Sequence, residues 1–250
     1  MTLSDKSATE RRERDVAERE PQAPADDASF IPALRFNRLT PLFDSVAAVA
    51  VRDRAIKRRV LVHAALAGGE DVLDVGCGTG TLAVAAARAA PGVKVTGLDA
   101  DPSILARARR RAADEGLEIG LDEARSTALP YADASFDLVL STLFFHHLPD
   151  DAKRQTAAEL VRVLRPGGRL VVGDLGRPQD PLMRIAVLVT VQLLDGFATT
   201  ALNVHGDLPD VLAGAGLRAV TVRDRMRTPT GSYEVMTATR PAARSNAPAR

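Results

Sequence analysis

Short apolar runs alternate with helix-forming stretches along the chain from residue 71 onwards. Glycine and proline separate many of these stretches, and Asp101 followed by Pro102 is typical of a capped helix start. This rhythm predicts a doubly wound α/β fold with a mostly parallel sheet. The expected strands are 72–75, 93–98, 118–121, 136–140 and 169–174, with helices that include 82–90 and 151–164.

The end of this pattern predicts a hairpin. Two further strand-like runs, 219–225 and 233–239, flank the turn-forming residues 228–231. A hairpin makes the last strand antiparallel to the strand before it. The sequence therefore predicts a seven-stranded, mostly parallel sheet with an antiparallel last strand.

The same pattern predicts one domain over residues 29–240. Residues 1–28 and 241–250 have little apolar surface to bury, so we expect two disordered tails. Within the domain, the expected parts are a helical cap at 29–68, with an amphipathic helix from about Ala55, a core at 71–175, a helical insertion after strand five at 176–216, and the hairpin at 217–240.

Composition narrows the class of protein. The chain has 33 basic and 32 acidic residues, so no broad basic field predicts a nucleic-acid partner. The apolar run 185–194 is too short to span a bilayer, and the first residues lack the apolar core of a secretory signal. We therefore expect a cytoplasmic protein without membrane insertion, and a homodimer is compatible with the sequence. The single cysteine, Cys77, excludes an intramolecular disulfide, and no metal site is predicted.

The candidate chemistry begins in the segment Val72-Leu-Asp-Val-Gly-Cys-Gly-Thr-Gly80. Glycines after a buried strand let the backbone approach a ligand, and the following helix offers unpaired N–H groups. Asp74 lies at the carboxyl end of that strand, where open parallel sheets bind ligands. Its carboxylate would repel a pyrophosphate and attract an ammonium group.

Two cofactors fit the glycine spacing. The pattern Gly78-x-Gly80-x-x-Ala83, with Asp99 about 20 residues further on, matches the dinucleotide fingerprint of an NAD-type oxidoreductase. The longer pattern Asp74-x-Gly76-x-Gly78-x-Gly80 resembles motif I of the class I S-adenosylmethionine-dependent methyltransferases. Asp74 disfavours the first alternative because of its charge.

This resemblance implies a set of cofactor contacts. The glycine loop, including Cys77, would wrap the methionine part of S-adenosylmethionine, and Asp74 would face its amino group. Asp99 would accept hydrogen bonds from the ribose hydroxyls, and Ala100 would lie against adenine.

Three later segments make the resemblance more specific. Residues 128–137, 144–148 and 164–169 are similar, in order and spacing, to segments of the subgroup that includes the ubiquinone and menaquinone ring C-methyltransferases. The implied architecture is the Rossmann-like class I methyltransferase fold. The implied reaction is methyl transfer to O, N or activated C of a small-molecule acceptor.

One position departs from the subgroup's pattern. An acidic adenine contact is expected where this chain has Arg125 and Ser126, and a guanidinium cannot accept a hydrogen bond. Backbone groups of these two residues could still hold adenine, or a shifted loop could use Asp122 or Glu123. The departure supports an alternative function, a non-catalytic S-adenosylmethionine-binding or scaffold protein.

The reacting groups are expected beyond strand four. Ser141 follows that strand, where the sulfonium and the acceptor should meet, and His146 or His147 could serve as a general base. A structural role for His147 is the alternative. Asp174, at the end of strand five, is a candidate substrate contact or a turn carboxylate.

The acceptor is expected to be apolar or aromatic. The insertion after strand five contains the apolar run 185–194, and such insertions commonly form the acceptor pocket of this fold. Helical core packing of the same residues is the alternative. The aromatic candidates are Phe43, Phe144 and Phe145.

Overall fold

The computed structural model describes residues 53–187, 197–228 and 231–242. The predicted N-terminal tail, most of the predicted cap with Phe43, the middle of the insertion and nearly all of the C-terminal tail lie outside these ranges. The elements in chain order are α1 Asp53–Ala64, β1 Asp71–Val75, α2 Thr81–Ala89, β2 Lys94–Asp99, α3 Pro102–Asp114, β3 Gly120–Glu123, β4 Phe136–Thr142, a 3-10 turn Phe145–His147, α4 Asp150–Val163, β5 Leu164–Leu175, α5 Pro181–Val187, α6 Phe197–His205, α7 Leu208–Gly214, β6 Arg218–Thr228 and β7 Gly231–Thr239.

The described strands form one seven-stranded sheet in the order β3-β2-β1-β4-β5-β7-β6. The first five strands pair in parallel, whereas β7 pairs antiparallel with both β5 and β6. The predicted mixed sheet and its final hairpin are therefore confirmed. Ligands bind such sheets outside the carboxyl ends of the parallel strands. The binding crevice lies between β1 and β4, where the strand order reverses.

Strand β5 is longer than the sequence predicts. The expected helix ends at residue 164 and the expected strand begins at residue 169, but β5 already begins at Leu164, which pairs with Phe136. The register shifts between Phe136 and Leu138, so a bulge accommodates Pro166. Backbone bonds between Arg240 and residues 167 and 168, of 3.0 and 2.9 Å, also hold this segment in place.

The side chains of the strands alternate between two cores. Leu73, Val139 and Val172 face one layer, which α4 and α7 cover. Val72, Leu138 and Val171 face the other layer, which α1 and α2 cover. This alternation is the reason that helices pack on both faces of the sheet. No helix within the described ranges is long and apolar enough to cross a bilayer.

Candidate functional site

The loop between β1 and α2 brings its backbone close to neighbouring elements. Gly76 has a φ of 70°, and a Cβ added to it would lie 2.2 Å from Cδ2 of Phe144. The backbone N–H groups of Gly76 and Cys77 donate to the carbonyl of Leu98, at 2.8 and 3.0 Å. Gly80, with a φ of 74°, precedes the first turn of α2. The loop is thus fixed between β2 and the segment after β4, and glycine is required at position 76.

Cys77 lies inside this loop and is buried. A Cβ on Gly97 would lie 2.9 Å from the Cys77 Sγ, so the thiol packs directly on the backbone of β2. Burial raises the pKa of the thiol, and the nearby Asp74 and Asp99 raise it further. Cys77 therefore stays protonated and serves as a packing residue of the loop rather than a nucleophile.

Asp74 is a buried carboxylate at the end of β1. The residue is 1% exposed, and neither carboxylate oxygen has a hydrogen-bond partner within the described part of the chain. Burial raises its pKa to about 7, although the positive charge of Lys57 opposes this shift. Buried carboxylates are rarely left without donors, because the loss of hydration is not compensated. The site therefore fits a ligand that brings a cationic or hydrogen-bond-donating group to Asp74.

Asp99 ends β2 beside the glycine loop. Its Oδ2 accepts from the Gly78 N–H at 2.9 Å, and its Oδ1 accepts from the Asp101 N–H at 3.1 Å. Burial raises its pKa, and these backbone donors oppose the shift. Each oxygen can accept one more hydrogen bond. The carboxylate is thus held in a fixed orientation next to the partly exposed Ala100.

The segment after β3 contains the departure seen in the sequence. Arg125 is exposed, whereas Ser126 is buried. The Ser126 hydroxyl shares a hydrogen bond of 2.8 Å with the Thr156 hydroxyl of α4. Asp122 accepts a hydrogen bond of 2.9 Å from the Tyr131 hydroxyl. The Ala124 N–H donates to the Asp99 carbonyl at 3.1 Å, which fixes the start of this segment beside β2. Backbone contacts of residues 125 and 126 with adenine stay a prediction.

Ser141 connects two strands at the ligand-binding edge. Its hydroxyl is fully buried and donates to the Val75 carbonyl at 2.9 Å, so its side chain ties β4 to β1. The chain then turns sharply, because Leu143 adopts a φ of 54°. This turn places the Phe144 ring over Gly76. Phe145 is 0% exposed and belongs to the core, so its predicted place among the acceptor-binding aromatics is wrong.

Asp174 organises the turn after β4. Its Oδ2 accepts from the N–H groups of Phe144 and Phe145, at 2.9 and 2.7 Å. Its Oδ1 lies 2.6 Å from His146 Nδ1 and accepts from the Leu175 N–H at 2.6 Å. Burial alone would raise the pKa of this carboxyl, but the imidazole of His146 and the backbone donors lower it. Asp174 is fully buried, so the geometry favours a positioning role over direct acceptor contact.

The two histidines differ in their surroundings. His146 is buried against Asp174, and the rings of His146 and His147 lie 4.0 Å apart. His147 keeps partial exposure, yet burial of its ring and the neighbouring His146 lower its pKa to about 3. His147 is therefore neutral at physiological pH and a weak base. The Asp174–His146 pair is the better candidate for general-base chemistry.

Three polar residues around the site had no predicted role. Lys153 is fully buried in α4 and donates to the carbonyls of Leu148, at 2.7 Å, and of Thr199 in α6. Asn203 of α6 donates to the Leu175 carbonyl at 3.3 Å. Lys57 of α1 donates to the Thr81 hydroxyl at the start of α2. Polar residues on otherwise amphipathic helices give no sequence signal of such long-range contacts.

The sheet order, the glycine loop after β1 and the carboxylate at the end of β2 together define the class I methyltransferase architecture. Comparisons with known proteins agree with this class. Residues 72–168 match the model of a family described as a methyltransferase domain. This part of the chain matches a methyltransferase domain, and its fold is the Rossmann-like class I methyltransferase fold.

Curated relatives share this part of the chain. The chain is 38% identical over 145 residues to a demethylmenaquinone methyltransferase of Thermus thermophilus, covering 57% of this chain and 65% of that protein. It is 36% identical over 177 residues to methyltransferase GfsG of Streptomyces halstedii, covering 66% of this chain and 60% of that protein. The chain thus spans less than two thirds of the length of either relative.

A solved structure agrees in fold. The S-adenosylmethionine-dependent methyltransferase of Methanosarcina mazei superposes with a TM-score of 0.60 at 22% identity, covering 73% of this chain and 98% of that one. At this level of identity the likeness establishes the fold.

Proposed function

We propose that this protein is an S-adenosylmethionine-dependent methyltransferase acting on O, N or activated C of a small, apolar or aromatic acceptor. The observation that carries the proposal is the buried Asp74 carboxylate, which has no hydrogen-bond partner within the described residues and lies at the glycine loop. An α-ammonium group supplies the charge and the donors that this carboxylate needs. A pyrophosphate would instead be repelled, which argues against the NAD-type alternative.

The residues present fit this cofactor. Asp74 would hold the ammonium group, the glycine loop would pack against the methionine chain, and Asp99 would accept from the ribose hydroxyls. When bound, S-adenosylmethionine supplies a methyl group on a sulfonium, which is electrophilic and has a good leaving group. The protein's task is then to align the acceptor with that methyl group, since alignment alone can supply roughly 7–11 kcal/mol of a barrier.

The turn after β4 would border the reacting atoms. Asp174 fixes the backbone of Phe144 and Phe145 and the ring of His146 at once. With Nδ1–H donated to Asp174, Nε2 is the ring nitrogen of His146 that would exchange a proton with the acceptor. His146 would remove the proton of an acceptor that is still protonated when it is methylated.

An apolar acceptor is supported by exposed apolar side chains in this turn and in α5. Phe144 is partly exposed above Gly76, and Leu182 and Ile185 of α5 are 79% and 57% exposed. The remainder of the run 185–194 extends beyond the described residues. A methyl-transfer screen should show turnover on apolar or aromatic molecules, and turnover on highly charged acceptors alone would contradict this part of the proposal.

Calorimetric titration with S-adenosylhomocysteine tests the cofactor, with NADH as the comparison ligand. We expect micromolar binding of S-adenosylhomocysteine, no binding of NADH, and a loss of at least tenfold in affinity in Asp74→Asn. The absence of S-adenosylhomocysteine binding would overturn the proposal. Tight binding without turnover of any acceptor would instead favour a non-catalytic S-adenosylmethionine-binding protein.

A further inference from the structure

Helix α1 places a lysine at the cofactor site. Ile56 and Val60 of this helix are fully buried, and a Cβ on Gly173 of β5 would lie 2.7 Å from Val60 and 3.0 Å from Ile56. The helix is therefore in direct contact with the sheet backbone. This packing fixes the position of Lys57, whose Nζ donates to the Thr81 hydroxyl in the first turn of α2.

Asp74 lies on the same face of β1 as Val72, which is the face that α1 and α2 cover, so Lys57, bonded to the start of α2, lies on the carboxylate's side of the sheet. From α1, the ammonium of Lys57 stabilises the ionised form of Asp74; from β2, the carboxylate of Asp99 opposes it. The loop contributes the protonated Cys77 thiol. The backbone N–H of Ala83 in α2 also favours the ionised form of Asp74, although it does not form a hydrogen bond of normal geometry with either carboxylate oxygen. From β4, the neighbouring Ser141 is uncharged and donates to a backbone carbonyl. Within the described part of the chain, Lys57 is thus the cation that offsets the burial of Asp74.

We propose that Lys57 is a positioning residue that favours the ionised form of Asp74, so that the site selects adenosyl ligands with an α-ammonium group and couples their binding to proton release. The inference rests on the proposed function and deepens it. Lys57 acts through Asp74, because a neutral carboxyl loses most of its attraction for an ammonium group. Since α1 carries this lysine, the helix preceding the glycine loop contributes to cofactor selection.

The expected size of the effect follows from the ionisation of Asp74. Its pKa of about 7 places the ionisation in the neutral range. Only the ionised fraction binds the ammonium group, so the Kd should fall roughly tenfold between about pH 6 and about pH 8. Removal of the Lys57 charge raises the pKa of Asp74 further. At about pH 7 the Kd of Lys57→Met should then rise roughly fivefold or more.

Titration calorimetry of the full chain tests the proposal. S-adenosylhomocysteine is titrated between about pH 6 and about pH 8.5, in buffers that differ in ionisation enthalpy. We expect proton release near neutral pH in the wild type, and a transition displaced to higher pH in Lys57→Met. Lys57→Arg keeps the charge and should keep the wild-type profile. Asp74→Asn should bind weakly, with no such pH dependence.

A second ligand separates this role from a structural one. The ligand 5′-methylthioadenosine shares the adenosyl thioether but has no amino-acid end, so its Kd should be the same in the wild type and in Lys57→Met. The ratio of the variant and wild-type Kd values for S-adenosylhomocysteine should narrow as the pH rises. A merely structural loss would weaken both ligands and keep that ratio constant.

Two outcomes would overturn the inference while leaving the proposed function intact. One is wild-type binding of S-adenosylhomocysteine that is independent of pH and releases no proton. The other is a pH profile of Lys57→Met that coincides with the wild type. Absence of S-adenosylhomocysteine binding by the wild type at every pH tested would instead overturn the proposed function.

Discussion

Substitution of Asp174 by asparagine should destabilise the turn after β4, because the turn is held by hydrogen bonds to the Asp174 carboxylate. Asparagine is almost the same size, so the change removes charge and one acceptor atom without leaving a cavity. Four close donors converge on the carboxylate, at 2.6 to 2.9 Å, from Phe144, Phe145, His146 and Leu175. Whichever way the amide is oriented, its NH₂ group faces two of these donors.

The expected loss in the free energy of unfolding is about 3–5 kcal/mol. Each buried N–H group left without an acceptor costs about 1–3 kcal/mol, and removing one member of a buried charged pair costs a similar total of about 3–5 kcal/mol. Urea denaturation followed by circular dichroism measures this quantity. Asp114→Asn is the matched control, because Asp114 is exposed at the end of α3.

The destabilisation should also depend on pH. Burial tends to raise the pKa of Asp174, but His146 and the backbone donors lower it overall. A depressed folded-state pKa gives stability that is present above the unfolded-state pKa of about 4 and is lost as the pH falls through the folded value. The difference between wild type and Asp174→Asn should therefore shrink in acid. A difference below about 1 kcal/mol at neutral pH would refute the reasoning, since about two unsatisfied buried donors would cost more.

Two further substitutions test the cofactor site by titration with S-adenosylhomocysteine and by urea denaturation. Asp99→Ala should weaken binding by about 1.5–3 kcal/mol, whereas Asp101→Ala should cost about 1 kcal/mol of stability as a lost helix cap and leave the affinity unchanged. Equal affinities of Asp99→Ala and wild type would contradict the ribose assignment. Gly76→Ala should abolish binding and destabilise the fold by more than about 2 kcal/mol, because its φ of 70° is strained and the Cβ meets Phe144. Gly116→Ala has a similar φ of 63° and no atom within 4 Å, so a loss of about 1 kcal/mol with intact binding is expected; similar losses in both glycine variants would show that the contact with Phe144 is unimportant.

Local signals made much of the fold predictable. Asp101 and Pro102 mark the start of α3 as expected, and the Asp101 side chain accepts from the Ser103 N–H at 2.8 Å. Apolar runs with β-branched residues marked most strands to within a few positions. The limits of β4 and β5 were less predictable, because pairing of Thr142 with Gly173 extends β4 and pairing of Phe136 with Leu164 extends β5 beyond their apolar runs.

The candidate site was only partly predictable for the same physical reason. Asp74 and Asp99 could be identified because each lies in a local pattern with the glycine loop. The roles of Lys57 and Asn203 depend on contacts with residues more than twenty positions away, which no local period records. Asp174 was identified as a site residue, but the donors that saturate it could be seen only in the folded chain.

The position of β7 has a consequence for how the chain is made. This strand lies between β5 and β6 although it is synthesised after both. While residues 231–239 are still missing from a nascent chain, β6 lacks the strand with which it pairs, and one edge of β5 is open. An open edge next to a buried apolar face invites pairing with other chains. Of the described strands, the last to leave the ribosome is therefore the one that joins β6 to the rest of the sheet, and incomplete chains should depend on chaperones until it arrives.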